Sequence, residues 1–582
     1  MTVAFRPLSL GMLRKSPLVA TLAIVLGSGH PAAGTAAHLL SAGPSDAAQR
    51  ESRAAPRAQF LRRHGPLPAA PDRPAGTTVV SNCNDSGPGS LREAFTQAVS
   101  GDVVDLTALT CSTISLSSGA LASGVDYLTL QGPGPDRLAI DAGGADRAIV
   151  LAGTQGELKI DGLEIRNGAY AYSKPGDGSG LAAGGCVLAA QFATISNSRL
   201  SGCSASGKSV HGGAVHAAGK LTLVDSVISG TTAAAEASDL SATIVGGVID
   251  GGAVYLTDST ISGAVVTAHT TTAYAGVFGG GAFGMYGVAM MGSTVSGVDV
   301  QVTAAKDAYA KGGGVGSPMT VIMDRSTVSD NSVRGTPGAG AGELGTYFSA
   351  ISGGGVYVAA VPRSSPVQSS ITNSTISGNS AICDGEPGLY TRGGGAGLGT
   401  VARKPVLIVN STISGNGTNL KGGALYTRDF GALAISNATI TANRADLGAA
   451  IADNGTQSAY ALQIGSSIVA GNLAYGTATP MQIDTVHAIE GSGNLIASAN
   501  VALPADTITA DPLLAPLADN GGPTLTHRLR PGSPAIDHGN NLLDLPFDQR
   551  GDGHARAFGA AADIGAYESE FPADTIFLDG FD

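Results

Sequence analysis

Beyond its first three dozen positions, the 582-residue chain has no apolar run long enough to span a bilayer, so no transmembrane segment is expected in the mature protein. A basic excess is also missing. Lys and Arg total 33 against 45 Asp and Glu, a formal net charge of -12, which argues against nucleic acid or an anionic membrane surface as the main partner. The five cysteines include no Cys-x-x-Cys pair and therefore do not spell a metal site. No collagen triplet accompanies the 85 glycines, and with 43% apolar residues disorder is not expected outside an N-terminal linker. Glycine pairs recur without the strand–helix context and lysine of a phosphate-cradling loop. In the central region Leu, Glu and Lys are scarce, and that scarcity excludes helical repeats.

A phrase rich in Gly, Thr, Val, Ile and Ser takes their place. It opens on a glycine pair and an apolar residue, as in Gly213-Ala214-Val215, Gly252-Ala253-Val254 and Gly423-Ala424-Leu425. It closes on a β-branched tripeptide and a turn, as in Thr260-Ile261-Ser262-Gly263, Thr375-Ile376-Ser377-Gly378 and Thr412-Ile413-Ser414-Gly415. The repeat length is roughly 27 to 37 residues with one gap of about 48, which is the period of a solenoid. β-Branched residues in short bursts between turns make each unit a β coil. The expected fold is all-β: a right-handed parallel β-helix with an N-terminal cap and a short capping helix.

Residues 1–36 read as a secretory signal: Arg6, Arg14 and Lys15 precede the apolar run Leu18 to Leu26, and small residues follow. Residues 37–76 form an Ala-, Pro- and Arg-rich linker. Residues 77–165 hold the cap and first coils. There Leu91, Ala94, Phe95 and Ala98 share one helical face, with Ser90 and Glu93 spaced as a capping box. Repeats occupy 166–490, a distinct C-terminal domain 491–569, and a tail 570–582.

Two stretches carry a family resemblance. Asn82-Cys83-Asn84-Asp85-Ser86-Gly87-Pro88-Gly89-Ser90-Leu91-Arg92-Glu93-Ala94 resembles the start of exported bacterial β-helix proteins with a CSLREA-type motif, although the cysteine stands earlier here. In the second, Asp519-Asn520-Gly521-Gly522-Pro523-Thr524, Pro531-Gly532-Ser533-Pro534-Ala535-Ile536-Asp537, Asp548-Gln549-Arg550-Gly551 and Asp563-Ile564-Gly565-Ala566-Tyr567-Glu568 follow in order. This series resembles the choice-of-anchor Q domain, which implies attachment at a cell surface and assigns no catalytic residue. The repeats are loosely similar to those of polymorphic outer-membrane proteins.

Cys186 and Cys203 stand in two inward slots of one coil and are candidates for a bridge. Cys83 with Cys111 would tie the cap to an early strand; Cys383 is left over. Five buried free thiols are the competing reading. After the tripeptide, Asn331, Asn379, Asn416, Asn443 and Asn472 share a slot, and coils stacked about 4.8 Å apart would let their amides form a structural ladder. The sequon residues Asn373, Asn410 and Asn437 are read as turn residues rather than glycan acceptors.

Length varies mainly between a tripeptide and the next glycine pair. Those insertions are expected to form a wall of loops carrying Tyr274, Tyr309, Tyr347, Phe348 and Tyr390, whose rings suit sugar binding. No catalytic, cofactor or metal residues are assigned. Asp225, Asp258 and Asp324 make at most a modest acidic row. The C-terminal Asp519, Asp537, Asp548, Asp563 and Glu568, with His527 and His538, are expected to cap the coil, the aspartates and Arg550 locking loops; calcium is the alternative, although their spacing is not that of an EF-hand or a nonapeptide repeat. The function expected is that of a secreted or surface-associated, adhesive or glycan-binding protein whose partner is a polysaccharide or a host or cell-surface ligand. A polysaccharide lyase or glycoside hydrolase on a pectate-lyase-like scaffold is the alternative, and a structural spacer the third reading.

Overall fold

The computed structural model describes residues 76–172, 180–238, 241–338, 351–359, 367–384, 393–402, 404–429, 432–455 and 461–570. The expected signal, nearly all of the expected linker and all but the first residue of the expected tail lie outside them, as do Tyr347, Phe348 and Tyr390. The described strands wind into a right-handed parallel β-helix. Four parallel sheets run along it. Sheet A has 23 strands, sheet B 13, sheet C 10 and sheet D 6. One coil shows the order: Ala242–Val245 in D, Ile249–Thr257 in A, Thr260–Ser262 in B, Val265–Thr270 in C, then Ala275–Phe278 in D again.

The β-branched tripeptides build sheet B. Ile261 pairs with Val295, Val295 with Val328, and onward through Ile376 and Ile413 to Ile440. All six are fully buried while the flanking Thr and Ser point outward. Each contributes roughly 1.5–3 kcal/mol through burial. From Asp161 to Ser467 the turn from A to B takes a left-handed residue in each coil, and Asn197, Asp225, Asp258, Asn373, Asn410 and Asn437 supply it in six of them at φ of 47 to 53°. Asn and Asp tolerate that conformation, which accounts for the sequon asparagines and two of the three aspartates. Asp324 sits one residue earlier, because Arg325 takes the left-handed position at φ 48°.

The N-terminal helix, α1 (Leu91–Gln97), is capped by the Ser90 hydroxyl, which accepts from Glu93 N. Leu91, Ala94 and Phe95 are buried in the first coils. Glu93 reaches back to Gly89 N at 2.6 Å, one residue before the cap.

Cys83–Cys111 and Cys186–Cys203 are disulfides, and Cys383 is buried and belongs to neither. Closing a loop of 17 residues restricts the unfolded chain. The Cys186→Ala/Cys203→Ala variant is therefore expected to lose about 3 kcal/mol of local stability. Hydrogen exchange across the coils around Val187–Ala189 and Ser204–Gly207 measures this, and unchanged protection would refute it.

The asparagine slot faces inward at the turn from B to C. Asn331 Nδ2 donates to Asn379 Oδ1, Asn379 to Asn416, Asn416 to Asn443 and Asn443 to Asn472, each at 2.9 Å. Gln482 Oε1 ends the row by accepting from Asn472 Nδ2 at 2.7 Å. A second row of side chains, of serines, runs beside the turn from A to B. Ser226, Ser259, Ser293, Ser326, Ser374 and Ser411 follow the left-handed turn residue, and each hydroxyl accepts from the backbone N of the equivalent residue one coil earlier.

The C-terminal segment lies along the flank of sheet B. Thr375 Oγ1 donates to Leu525 O at 2.7 Å, Thr412 Oγ1 to Gln549 Oε1 at 2.6 Å, and Ala566 N to Thr439 Oγ1 at 3.0 Å. These threonines are buried, whereas Thr260, Thr294 and Thr327 upstream remain half-buried.

Candidate functional site

Where sheet D turns into sheet A, the coil bends around a glycine pair. In sheet D, Val210, Ile244, Val277 and Ala310 point into the core, so His211, Val245, Phe278 and Lys311 point out. In sheet A, Val215, Ile249, Ala282 and Val356 point in, so His216, Asp250, Phe283 and Tyr357 point out. Outward side chains from two adjacent sheets meet only if the sheets join at a re-entrant angle, and these do meet. His211 Nδ1 lies 2.8 Å from Asp250 Oδ2, the Phe278 and Phe283 ring centroids are 6.1 Å apart, and Lys311 Nζ lies 5.1 Å from the Tyr357 ring centroid. The result is a re-entrant furrow line parallel to the helix axis, in which Asp250, Phe283, Lys311 and Tyr357 are buried and His211, His216 and Phe278 are partly exposed.

The glycines shape this corner. Gly246 has φ 61°, and a Cβ there would stand 2.7 Å from the Asp250 Cβ. An alanine would therefore be strained in its backbone and pressed against the carboxylate-bearing side chain.

At one end of the furrow Asp250 Oδ2 is also 2.9 Å from His216 Nδ1, so two imidazoles address a single carboxylate oxygen. The imidazoles stand edge to face, 5.7 Å between centroids. Asp250 is buried and the two histidine side chains are about one-fifth exposed. Burial pushes the Asp250 carboxyl up, but the hydrogen bonds from His211 and His216 outweigh it and hold the group below the usual carboxylate range. Among the described residues this is the one set of three His, Cys, Asp or Glu side chains whose ligand atoms all lie within 4.8 Å of one another.

Of the aromatic residues expected in a loop wall, Tyr274 and Tyr309 fall within the described residues, and Tyr309 is placed differently. Tyr309 stands in the regular strand Ala308–Lys311 of sheet D, because the Ala- and Val-rich insertions continue the coil as strands of sheets C and D. Its ring lies over Gly276, where a Cβ would come within 1.9 Å of it, and its hydroxyl bonds Thr243. Burial pushes that hydroxyl's pKa up. Tyr274 precedes the strand Ala275–Phe278, with Lys306 Nζ 5.5 Å from its ring centroid. The furrow residues themselves escaped the sequence reading. A usable signal existed: they are the residue just before a glycine pair and the one five positions on, as in His211-Gly212-Gly213-Ala214-Val215-His216.

The C-terminal carboxylates are engaged by donors. Asp548 Oδ2 accepts from Arg550 Nη2 at 2.7 Å, Asp537 Oδ1 from Ala560 N at 2.9 Å, and Glu568 Oε2 from Arg556 Nη2 at 2.9 Å.

Stacked parallel coils with an axial furrow define a parallel β-helix protein. No family model matches the chain, and no curated protein matches it. Among solved structures, a crystal structure of the pectate lyase Pel9A aligns over 85% of this chain and 97% of its own, with 11% identity and a TM-score of 0.31.

Proposed function

We propose that this chain is an exported, surface-associated, non-catalytic protein that binds a polysaccharide or cell-surface glycan along the furrow between sheets D and A. The observation that carries this reading is the line of partly exposed Phe278, His211 and His216 backed by the buried Phe283, Tyr357, Lys311 and Asp250 along one re-entrant corner. Aromatic faces accept the apolar faces of sugar rings, and a few polar groups fix the hydroxyls. Two disulfides suit an oxidising exterior. The resemblance of residues 494–568 to choice-of-anchor Q supports surface attachment. A lyase or hydrolase is the second reading, favoured by the buried Asp250 carboxylate set between two imidazoles.

A glycan array on the folded chain, followed by a reducing-end assay on every ligand retained, tests both. Phe278→Ala is expected to weaken binding about tenfold, the equivalent of ~1.4 kcal/mol. New reducing ends would replace this reading with the enzymatic one. Absence of any ligand, or equal binding by the variant, would remove the furrow as a glycan site and leave a structural spacer.

A further inference from the structure

The geometry points to a divalent transition-metal site of the zinc class at His211, His216 and Asp250, a reading that does not depend on glycan binding. The three residues come from two successive coils. His211 ends the strand Ser209–His211, His216 follows the glycine corner, and Asp250 is the register partner of His216 in the next coil. Neighbouring coils carry Val245 and Phe278 in the first column, and Leu188 and Phe283 in the second, so the trio is flanked along the axis by apolar side chains.

Both Nδ1 atoms turn to the same oxygen, at 2.8 and 2.9 Å. A tetrahedral zinc ion at about 2.0–2.1 Å from each donor separates its ligands by about 3.3 Å. Opening the cluster by about half an ångström therefore admits the ion in place of the two Nδ1 protons. The carboxylate is held by the sheet, while the imidazoles are partly exposed and free to give. Imidazole donors select zinc, nickel or copper over calcium and magnesium. Three protein ligands leave a fourth position, which opens on the solvent side where the imidazoles are exposed. That is the donor count of a site that binds an exogenous oxygen rather than a closed structural one.

The test uses the full chain without a histidine tag, with Zn2+ and Co2+ alone as probes. Calorimetry is expected to show uptake of one Zn2+ per chain, and Co2+ to give visible d–d absorption that Zn2+ abolishes. His211→Gln and His216→Gln, both at partly exposed positions, are each expected to weaken Zn2+ about tenfold or more while the far-ultraviolet β signature is kept. Nickel-induced broadening of histidine ring signals in the unmodified chain provides a readout independent of the variants. It is expected to single out two histidines. No saturable one-to-one uptake, uptake unchanged in both variants, or broadening spread over all histidines would overturn the assignment.

Discussion

Glu568→Ala is expected to cost about 3–5 kcal/mol and to release the C-terminal segment from sheet B. Arg556 is fully buried, and its guanidinium meets Glu568 Oε2 at 2.9 Å, Gly565 O at 2.9 Å and Asp563 O at 3.0 Å. Glu568 also accepts from Phe558 N at 2.7 Å and Asp563 N at 2.8 Å. Truncation thus strands one buried charge and two backbone donors. Hydrogen exchange and proteolysis across 512–570 read the local release, which matters because a solenoid need not unfold as one unit. Protection equal to that of the unaltered chain would refute the claim.

The same site sets a pH dependence. Burial pushes Glu568 up to about 7 and Asp563 up to about 6; Arg556 opposes both shifts, while Asp563 reinforces the rise of Glu568 and Asp537 that of Asp563. A folded-state pKa above the unfolded value means that protons bind more tightly in the folded state. The associated stability is complete below about 4.5 and is lost as pH rises through about 7. Arg556→Met should steepen this loss, since a buried carboxyl deprived of its cation escapes ionisation only by keeping its proton. Docking of that variant should therefore be weaker at pH 8 than at pH 5.

Asn416→Ala is expected to cost about 3 kcal/mol, from a cavity plus an orphaned donor. Asn416 is fully buried in the middle of the ladder. Its Oδ1 accepts from Asn379 N at 3.0 Å and Asn379 Nδ2 at 2.9 Å, and its Nδ2 donates to Ile376 O and Ser414 O as well as to Asn443. Asn331→Ala at the row's upstream end should cost less, about 2 kcal/mol, because its Oδ1 serves one donor, Val298 N, where that of Asn416 serves two. The preceding coils already fill this slot with Ala264 and Val298. Thermal unfolding or exchange of the two variants measures the difference; equal losses would mean that the ladder does not act as a connected row.

A repeat that returns each residue type to the same station makes much of the fold legible. The β-branched tripeptides, the glycine corners, the asparagine slot and the slots of Cys186 and Cys203 all recur in register, and register is what stacked coils preserve. The furrow was hidden for the complementary reason. Its residues change identity from coil to coil and belong to two sheets, so the glycine-pair period marks their stations but not that His211 meets Asp250. The insertions misled for a related reason, since their Ala- and Val-rich segments vary in length yet continue the coil as sheets C and D.

By itself the sequence determined the class of fold, the turn chemistry and the inward slots, because burial and left-handed turns restrict residue type wherever they occur. The tertiary structure alone decided which outward residues meet. The re-entrant corner between sheets D and A brings two imidazoles to one carboxylate. The C-terminal segment buries Thr375, Thr412 and Thr439 while equivalent threonines upstream stay half-buried. Both outcomes depend on the angle between neighbouring sheets and on contacts between residues far apart in the chain, and local residue preference specifies neither.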